Sequence, residues 1–143
     1  MGDNGGIQDR TRAGGPPNSE RSSHVVSDGD SASHAKQLAA AQQITHVGSW
    51  EWTIQTNAVV WSDELYRIYG LEPQSFDITF ENFLGRLHPD DRARVMGAVS
   101  KAVETQKAFG YPERIVRPDG SIRELDTLGE PSFEPDGRFR GLI

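Results

Sequence analysis

The sequence predicts an α+β domain in which a five-stranded antiparallel sheet carries short helices on one face. Two observations support the sheet: apolar residues alternate in short stretches before and after the middle of the chain, and breaks of hairpin length join these stretches. A third supports the helices, because apolar residues recur at three- and four-residue spacing in the middle section. A chain of 143 residues suggests one domain.

Two segments precede the predicted sheet. Residues 1–35 contain almost no large apolar side chain, so we expect a disordered tail. Residues 36–46 are rich in Ala and Gln and are predicted to be helical, with an apolar stripe of Leu38, Ala41 and Ile44. So short a helix is marginally stable alone in water. We therefore expect the stripe to contact the sheet or the same helix of a second subunit.

The folded domain is expected over residues 47–143, and it opens with a hairpin. Trp50, Trp52 and Ile54 alternate and share one face of the first strand. Gln55–Asn57 is a polar break of hairpin length, and Val59 and Trp61 again share a face. The tryptophans of this hairpin are expected to supply a large share of the core.

Three helices are predicted in the middle of the chain. Ser62 is a suitable N-cap for the first, and Gly70 ends it. Thr79 is a suitable N-cap for the second, over residues 80–87. Pro89 suits the first turn of the third, which is predicted to run to about Lys107.

Three strands close the chain. Residues 109–117 and 121–129 form the first two, joined by a turn with Pro118 and Gly120. Pro112 cannot donate a hydrogen bond to a neighbouring strand, so the strand that contains it is predicted to lie at an edge. The last strand covers only residues 139–143, and we interpret its short length as a C-terminal truncation.

Composition excludes several classes of function. The net charge of −6 provides no basic surface for a nucleic acid. The absence of Cys excludes disulfides, thiolate metal sites, cysteine nucleophiles and a cysteinyl–flavin adduct, and it fits a reducing, cytoplasmic compartment. No apolar run approaches the roughly 18 residues of a membrane helix.

Four stretches together carry a resemblance to a known family. They are A-Q-Q-I-T-H-V-G-S-W-E-W at 41–52, W-S-D-E-L-Y-R-I-Y-G-L at 61–71, F-L-G-R-L-H-P-D-D-R at 83–92 and R-I-V-R-P-D-G-S-I-R at 114–123. In this order they resemble the PAS domain, in the variant common in bacterial sensor histidine kinases. The resemblance covers about residues 40–143. It implies sheet order 2-1-5-4-3 and a sensor module, with an output domain further along a longer protein.

The aromatic side chains have two alternative interpretations. Trp50, Trp52, Trp61, Tyr66 and Tyr69 could stack on a flat cofactor such as flavin, or they could be ordinary core residues, which we favour. The cofactor is therefore left open. The candidate lining of a PAS cavity is Trp50, Trp52, Trp61, Leu65, Tyr69, Phe83 and Val99.

Other polar groups are expected to be structural. The acidic segment His88–Asp91 could bind a metal or serve in acid–base chemistry, but Pro and acids at this position are typical of a helix start. His46 could be an axial haem ligand, but we expect it in a loop outside the cavity. Glu113 and Arg123 are predicted to form a surface ion pair across a hairpin. No metal site and no catalytic site is predicted.

Three functional hypotheses follow. The first is a regulatory PAS module that responds to a small molecule or a partner, dimerises through the helix of residues 36–46 and acts on a downstream output domain. The resemblance suggests a sensor histidine kinase as the parent protein. The second is an interaction and dimerisation domain without a ligand. The third is an enzyme, ranked last because no nucleophile, metal set or paired carboxylates can be assembled from the sequence.

Overall fold

The computed structural model describes residues 28–143, so the tail predicted over residues 1–27 lies outside the described residues. Residues 28–35, which the sequence assigned to the tail, are helical. The four helices are α1 Asp28–Thr45, α2 Asp63–Ile68, α3 Phe80–Arg86 and α4 Pro89–Thr105. None of the helices in this part of the chain is long and apolar enough to span a bilayer.

Six strands form the sheet, all paired antiparallel: β1 Trp50–Thr53, β2 Ala58–Trp61, β3 Phe109–Val116, β4 Ile122–Gly129, β5 Pro131–Phe133 and β6 Phe139–Leu142. The order is β2-β1-β6-β5, and β4 pairs with β3. Glu130 alone separates β4 from β5, so together they are one long strand that changes partner at this residue. The predicted order 2-1-5-4-3 is confirmed, with the fourth strand divided in two.

The last strand occupies a central place between β1 and β5. Gly141 faces Thr53 on one side and Ser132 on the other. A Cβ atom added at Gly141 would overlap the carbonyl oxygen of Trp52, so the strands approach more closely here than any other residue type allows.

Local signals set the helix ends as predicted. The Ser62 hydroxyl accepts a hydrogen bond from the Leu65 N–H at 3.3 Å, and the Thr79 hydroxyl accepts one from the Asn82 N–H at 3.1 Å. Gly70 has φ of +77°, the left-handed conformation expected after a helix. These caps pair backbone groups that a helix end leaves open.

The start of α4 covers the outer edge of β3. The Arg114 N–H donates to Asp91 Oδ2 at 2.8 Å, and the Arg114 carbonyl accepts from the His88 N–H at 2.7 Å. Among the strands of the described residues β3 pairs with β4 alone, as Pro112 predicted, and its Ile115 also forms an isolated antiparallel bridge with Leu87. The backbone groups on its other side are thus satisfied in part by the helix start.

The core lies between the sheet and the helices. Leu87, Val95 and Ile115 have no exposed surface. Trp61 is buried, whereas Trp50 and Trp52 are only half-buried, so the indoles contribute less to the core than expected. The half-buried indoles indicate that the interior is incompletely filled near β1.

We expect Gly141→Ala to lower the free energy of unfolding by about 1–3 kcal/mol or more, because the new methyl group forces β6 away from β1. Gly97→Ala is the matched control, since a Cβ at this exposed position in α4 has open space around it. The control should raise stability by about 0.5–1 kcal/mol. Urea unfolding followed by tryptophan fluorescence measures both, and equal stability of the two variants would contradict the close approach at Gly141.

Candidate functional site

A cavity of about 400 Å³ lies in the interior, between the sheet and the helical layer. Its wall includes side chains from β1, β2, β3, β4 and β6 and from α2, α3 and α4. This volume falls in the range of pockets that hold small molecules, roughly 300–1,000 Å³. The fold therefore brings every layer of the domain to one cavity, which is partly open to solvent.

All seven side chains of the predicted cavity lining lie in this wall. They are Trp50, Trp52, Trp61, Leu65, Tyr69, Phe83 and Val99. The structure places the hairpin residues opposite those from α2, α3 and α4. Three tryptophans are the whole tryptophan content of the chain, so its fluorescence reports on this cavity.

The aromatic rings of the wall pack on one another. Trp52 stacks on Phe80 with ring centroids 4.9 Å apart, and Trp61 contacts Tyr69 with centroids 4.4 Å apart. The Trp52 indole N–H donates to Asn57 Oδ1 at 2.9 Å, which anchors the ring at the hairpin turn. The rings thus pack on one another as core residues do, and they also face the cavity.

Tyr66 is a core residue, the alternative that we favoured from the sequence. It is buried outside the cavity wall, and its hydroxyl donates to the Phe76 carbonyl at 2.8 Å. His46 borders the cavity, contrary to the expectation that it lies outside, but its side chain is 80% exposed and lies 3.3 Å from Glu64. Neither arrangement indicates a cofactor ligand.

Glu113 was predicted to lie at the surface, but it is buried. The predicted surface pair with Arg123 is wrong, because Glu113 faces Leu125 in the β3–β4 register and Arg123 faces Ile115. Glu113 is 3% exposed and lies in the cavity wall. Its alternation with the apolar Tyr111 and Ile115 was the available signal, since residues two apart share a strand face.

The Glu113 carboxyl has few partners. The Tyr69 hydroxyl donates to Oε1 at 3.4 Å, a long hydrogen bond, and Oε2 has no partner in residues 28–143. Burial raises the pKa of Glu113 to about 7, and the nearby hydroxyls of Thr127 and Tyr69 only partly oppose this rise. Burial also raises the pKa of Tyr69 well above its ordinary value, so its hydroxyl keeps its proton.

The His88–Asp91 segment has a structural role. His88 is the N-cap of α4 and its Nδ1 accepts from the Asp90 N–H at 3.2 Å. The Arg114 guanidinium donates to both Asp91 oxygens, at 3.1 Å and 2.6 Å, and holds the pKa of that carboxyl well below its usual range. Over the described range no group of His, Cys, Asp and Glu is arranged to hold a metal ion.

Comparison with known proteins places this arrangement among signalling proteins. The model of the PAS fold family matches residues 58–143. Among solved structures, the sensory box histidine kinase/response regulator of Burkholderia thailandensis E264 is 25% identical with a TM-score of 0.59. The match covers 74% of this chain and 79% of that one.

Two curated relatives are larger signalling proteins. Sensor protein FixL of Bradyrhizobium diazoefficiens is 36% identical over 72 residues, which cover 48% of this chain and 14% of FixL. Hybrid signal transduction histidine kinase I of Dictyostelium discoideum is 28% identical over 101 residues, which cover 68% of this chain and 6% of that kinase. The chain thus spans a small part of the length of both relatives.

We expect Glu113 to make the protein less stable as the pH rises. A folded-state pKa of about 7, above the ordinary 4.5, means that the folded state holds the proton more tightly than the unfolded state. The stability that the protonated group contributes is therefore present below about pH 4.5 and is lost as the pH rises through about 7. Glu113→Gln should exceed wild type in stability by about 1–3 kcal/mol near pH 8.

Urea unfolding between about pH 5 and pH 8 measures this difference, and other titrating groups cancel when the two proteins are compared. Glu124→Gln is the matched control, because it removes the same charge from an exposed position on the neighbouring strand. The control should keep the wild-type pH dependence. If the free energy of unfolding of Glu113→Gln changes with pH as that of wild type does, the Glu113 carboxyl ionises normally in the folded protein.

Proposed function

This chain belongs to the PAS fold family, and on that premise we propose that it is the sensory input module of a signal-transduction protein with a histidine kinase output. The observation that carries the proposal is the aromatic-lined cavity of about 400 Å³ inside the domain. A module that served only as a scaffold would gain stability by filling this space, because unfilled interior volume costs packing energy. The absence of cysteine is in keeping with a cytoplasmic location.

The proposed mechanism is a shift between two arrangements of the sheet and its helices. A bound molecule would contact Leu65 on α2, Tyr69 at the C-cap of that helix, Val99 on α4 and Leu142 on β6 at the same time. It would favour the arrangement that fits it better, by its difference in affinity for the two. Leu142 lies in the last strand, so the change would reach a downstream output domain directly through β6.

A second route out of the domain leads through α1. The Gln42 amide donates to the Ser49 hydroxyl at 3.0 Å, and His46 lies 3.3 Å from Glu64 on α2. Val47 and Gly48, which follow the helix, also border the cavity. We therefore infer that the position of α1 responds to the occupancy of the cavity.

A second candidate function is dimerisation without a ligand, and the exposure of α1 favours it. Leu38 is 60% exposed and Ile44 is 78% exposed, so the predicted apolar stripe does not pack on its own sheet. Burial of two such stripes against each other would remove apolar surface from water, at about 25 cal/mol per Å². We propose a homodimer through α1, which is compatible with either function.

Native mass spectrometry of the purified chain tests the sensory function. We expect a co-purified small molecule that is released on denaturation. Val99→Phe should reduce this additional mass, since the larger ring occupies part of the cavity. Met96→Phe, an exposed position on the same helix, should retain it. A bare protein mass for wild type would count against sensing and would favour the interaction domain.

Sedimentation velocity tests the dimer. The double substitution of Leu38 and Ile44 by Glu places charges on the stripe and should weaken self-association by about tenfold or more, because buried charges of like sign repel and lose hydration. Ala39→Glu is the control, since it adds one charge on the opposite side of α1. A wild-type protein that stays monomeric at high concentration would exclude the dimer through this helix.

A further inference from the structure

We propose that the cavity binds a small organic cation, an amine or amidine on a largely apolar body, with the Glu113 carboxylate as its counter-ion. The inference rests on the proposed function, because it takes the cavity as the sensing site. It specifies that the ligand is positively charged and donates hydrogen bonds from nitrogen. Three independent features of the wall support it: the balance of charge, the unpartnered carboxyl oxygen and the aromatic rings.

The charge of the wall is negative. Glu113, Glu124 and Asp126 all border the cavity, and the wall contains no Lys or Arg among the described residues. Glu124 and Asp126 are exposed, whereas Glu113 is buried. Carboxylates at the exposed positions attract cations from solution, and the buried carboxylate provides an ion-pair partner where water screens the charge least.

The Glu113 carboxyl is poorly satisfied for so buried a group. Oε2 has no hydrogen-bond partner within residues 28–143, and the Tyr69 bond to Oε1 is 3.4 Å long, against about 2.7–2.8 Å for a typical hydroxyl donor. A half-turn about Cγ–Cδ exchanges the two oxygens. A nitrogen donor in the cavity can therefore form a hydrogen bond to either carboxyl oxygen without breaking a strong existing one. This new bond offsets the free energy that the carboxyl lost when it was removed from water.

The rest of the wall suits the body of such a ligand. Aromatic faces attract organic cations by several tenths to about 2 kcal/mol, and the wall contains three indoles. Leu65, Val99 and Leu142 provide aliphatic surface for an apolar group. Within residues 28–143 the wall contains no Lys or Arg, and its one histidine, His46, lies beside the Glu64 carboxylate, so the wall disfavours carboxylate or phosphate ligands.

The ionisation of Glu113 predicts how the affinity of the cavity for a cation changes with pH. The carboxyl has a pKa of about 7 and is faced by Tyr69 at the end of α2, by Tyr111 from β3, by the Thr127 hydroxyl from β4, and by Asp91 and Arg94 from α4. Neither phenol ionises in this range, because burial raises the pKa of both. A cation should therefore bind more tightly as the pH rises from about 6 to 8, and an uncharged ligand that accepts a hydrogen bond should show the reverse.

The experiment uses the full chain, freed of any co-purified molecule, with tryptophan fluorescence as the readout. The probes are benzamidine and phenethylamine as cations, benzamide as the uncharged analogue and benzoate as the anion. We expect saturable binding of at least one cation, about tenfold or more tighter than benzamide, and no binding of benzoate. Affinity for the cation should increase with pH as described.

Two variants locate the effect. Glu113→Gln should weaken cation binding by about tenfold or more and remove its pH dependence, whereas Glu104→Gln, at an exposed position of α4 outside the cavity wall, should change affinity by less than about twofold. A melting curve of each variant checks its fold, and the comparison of cation with benzamide in wild type does not depend on any variant. Equal binding of benzamide, unchanged affinity in a folded Glu113→Gln variant, or no response to either cation at millimolar concentration overturns the proposal.

These outcomes are distinguishable from a failure of the sensory function. A neutral or anionic molecule found by native mass spectrometry would leave the sensory function in place and would overturn the cation. A bare protein mass together with Glu113-dependent cation binding would support the proposed ligand class at a site that is empty after purification.

Discussion

The pairing of Asp91 with Arg114 joins the helical layer to the edge of the sheet. The Asp91 carboxylate accepts hydrogen bonds from both the backbone and the side chain of Arg114. These bonds restrict both sliding of β3 along the start of α4 and rotation of the strand about its own axis. Because strand residues alternate, a residue whose backbone is held by α4 leaves its two neighbours, Glu113 and Ile115, to face the interior. The position of the buried carboxyl thus depends on an interaction outside the cavity.

A buried carboxyl beside an unfilled space is unfavourable for stability, and the surrounding structure must offset it. The close β1–β6 approach at Gly141 and the fully buried Leu87, Val95 and Ile115 are the features that do so. A ligand-binding site commonly retains such groups, because the same unsatisfied atoms that weaken the empty protein bind the ligand. The core is therefore divided into a well-packed part around α4 and an open part along β1.

The elements that border the open part also lie near the two ends of the described residues. β6 lies in the centre of the sheet and contributes Leu142 to the cavity wall, while the residues after α1 form its rim. Helix α1 packs lightly on α2 and exposes its apolar residues. A change in the cavity has short physical paths to both ends of the described chain, which is what an input module linked to other domains requires.

The sequence by itself determined most of the elements, though not the start of α1, and it determined the sheet order by resemblance. It also predicted seven aromatic and aliphatic residues that the structure places among those of the cavity wall. Caps such as Ser62 and turns depend on residues a few positions apart, so the chain carries these signals locally. The tertiary structure alone decided the burial of Glu113 and the partner of Asp91. The burial of Glu113 depends on the register of β3, and the Asp91–Arg114 pair depends on contact between residues 23 positions apart. A charged residue in an amphipathic strand is expected to be exposed to solvent, and only the packed structure shows which face of the strand is buried.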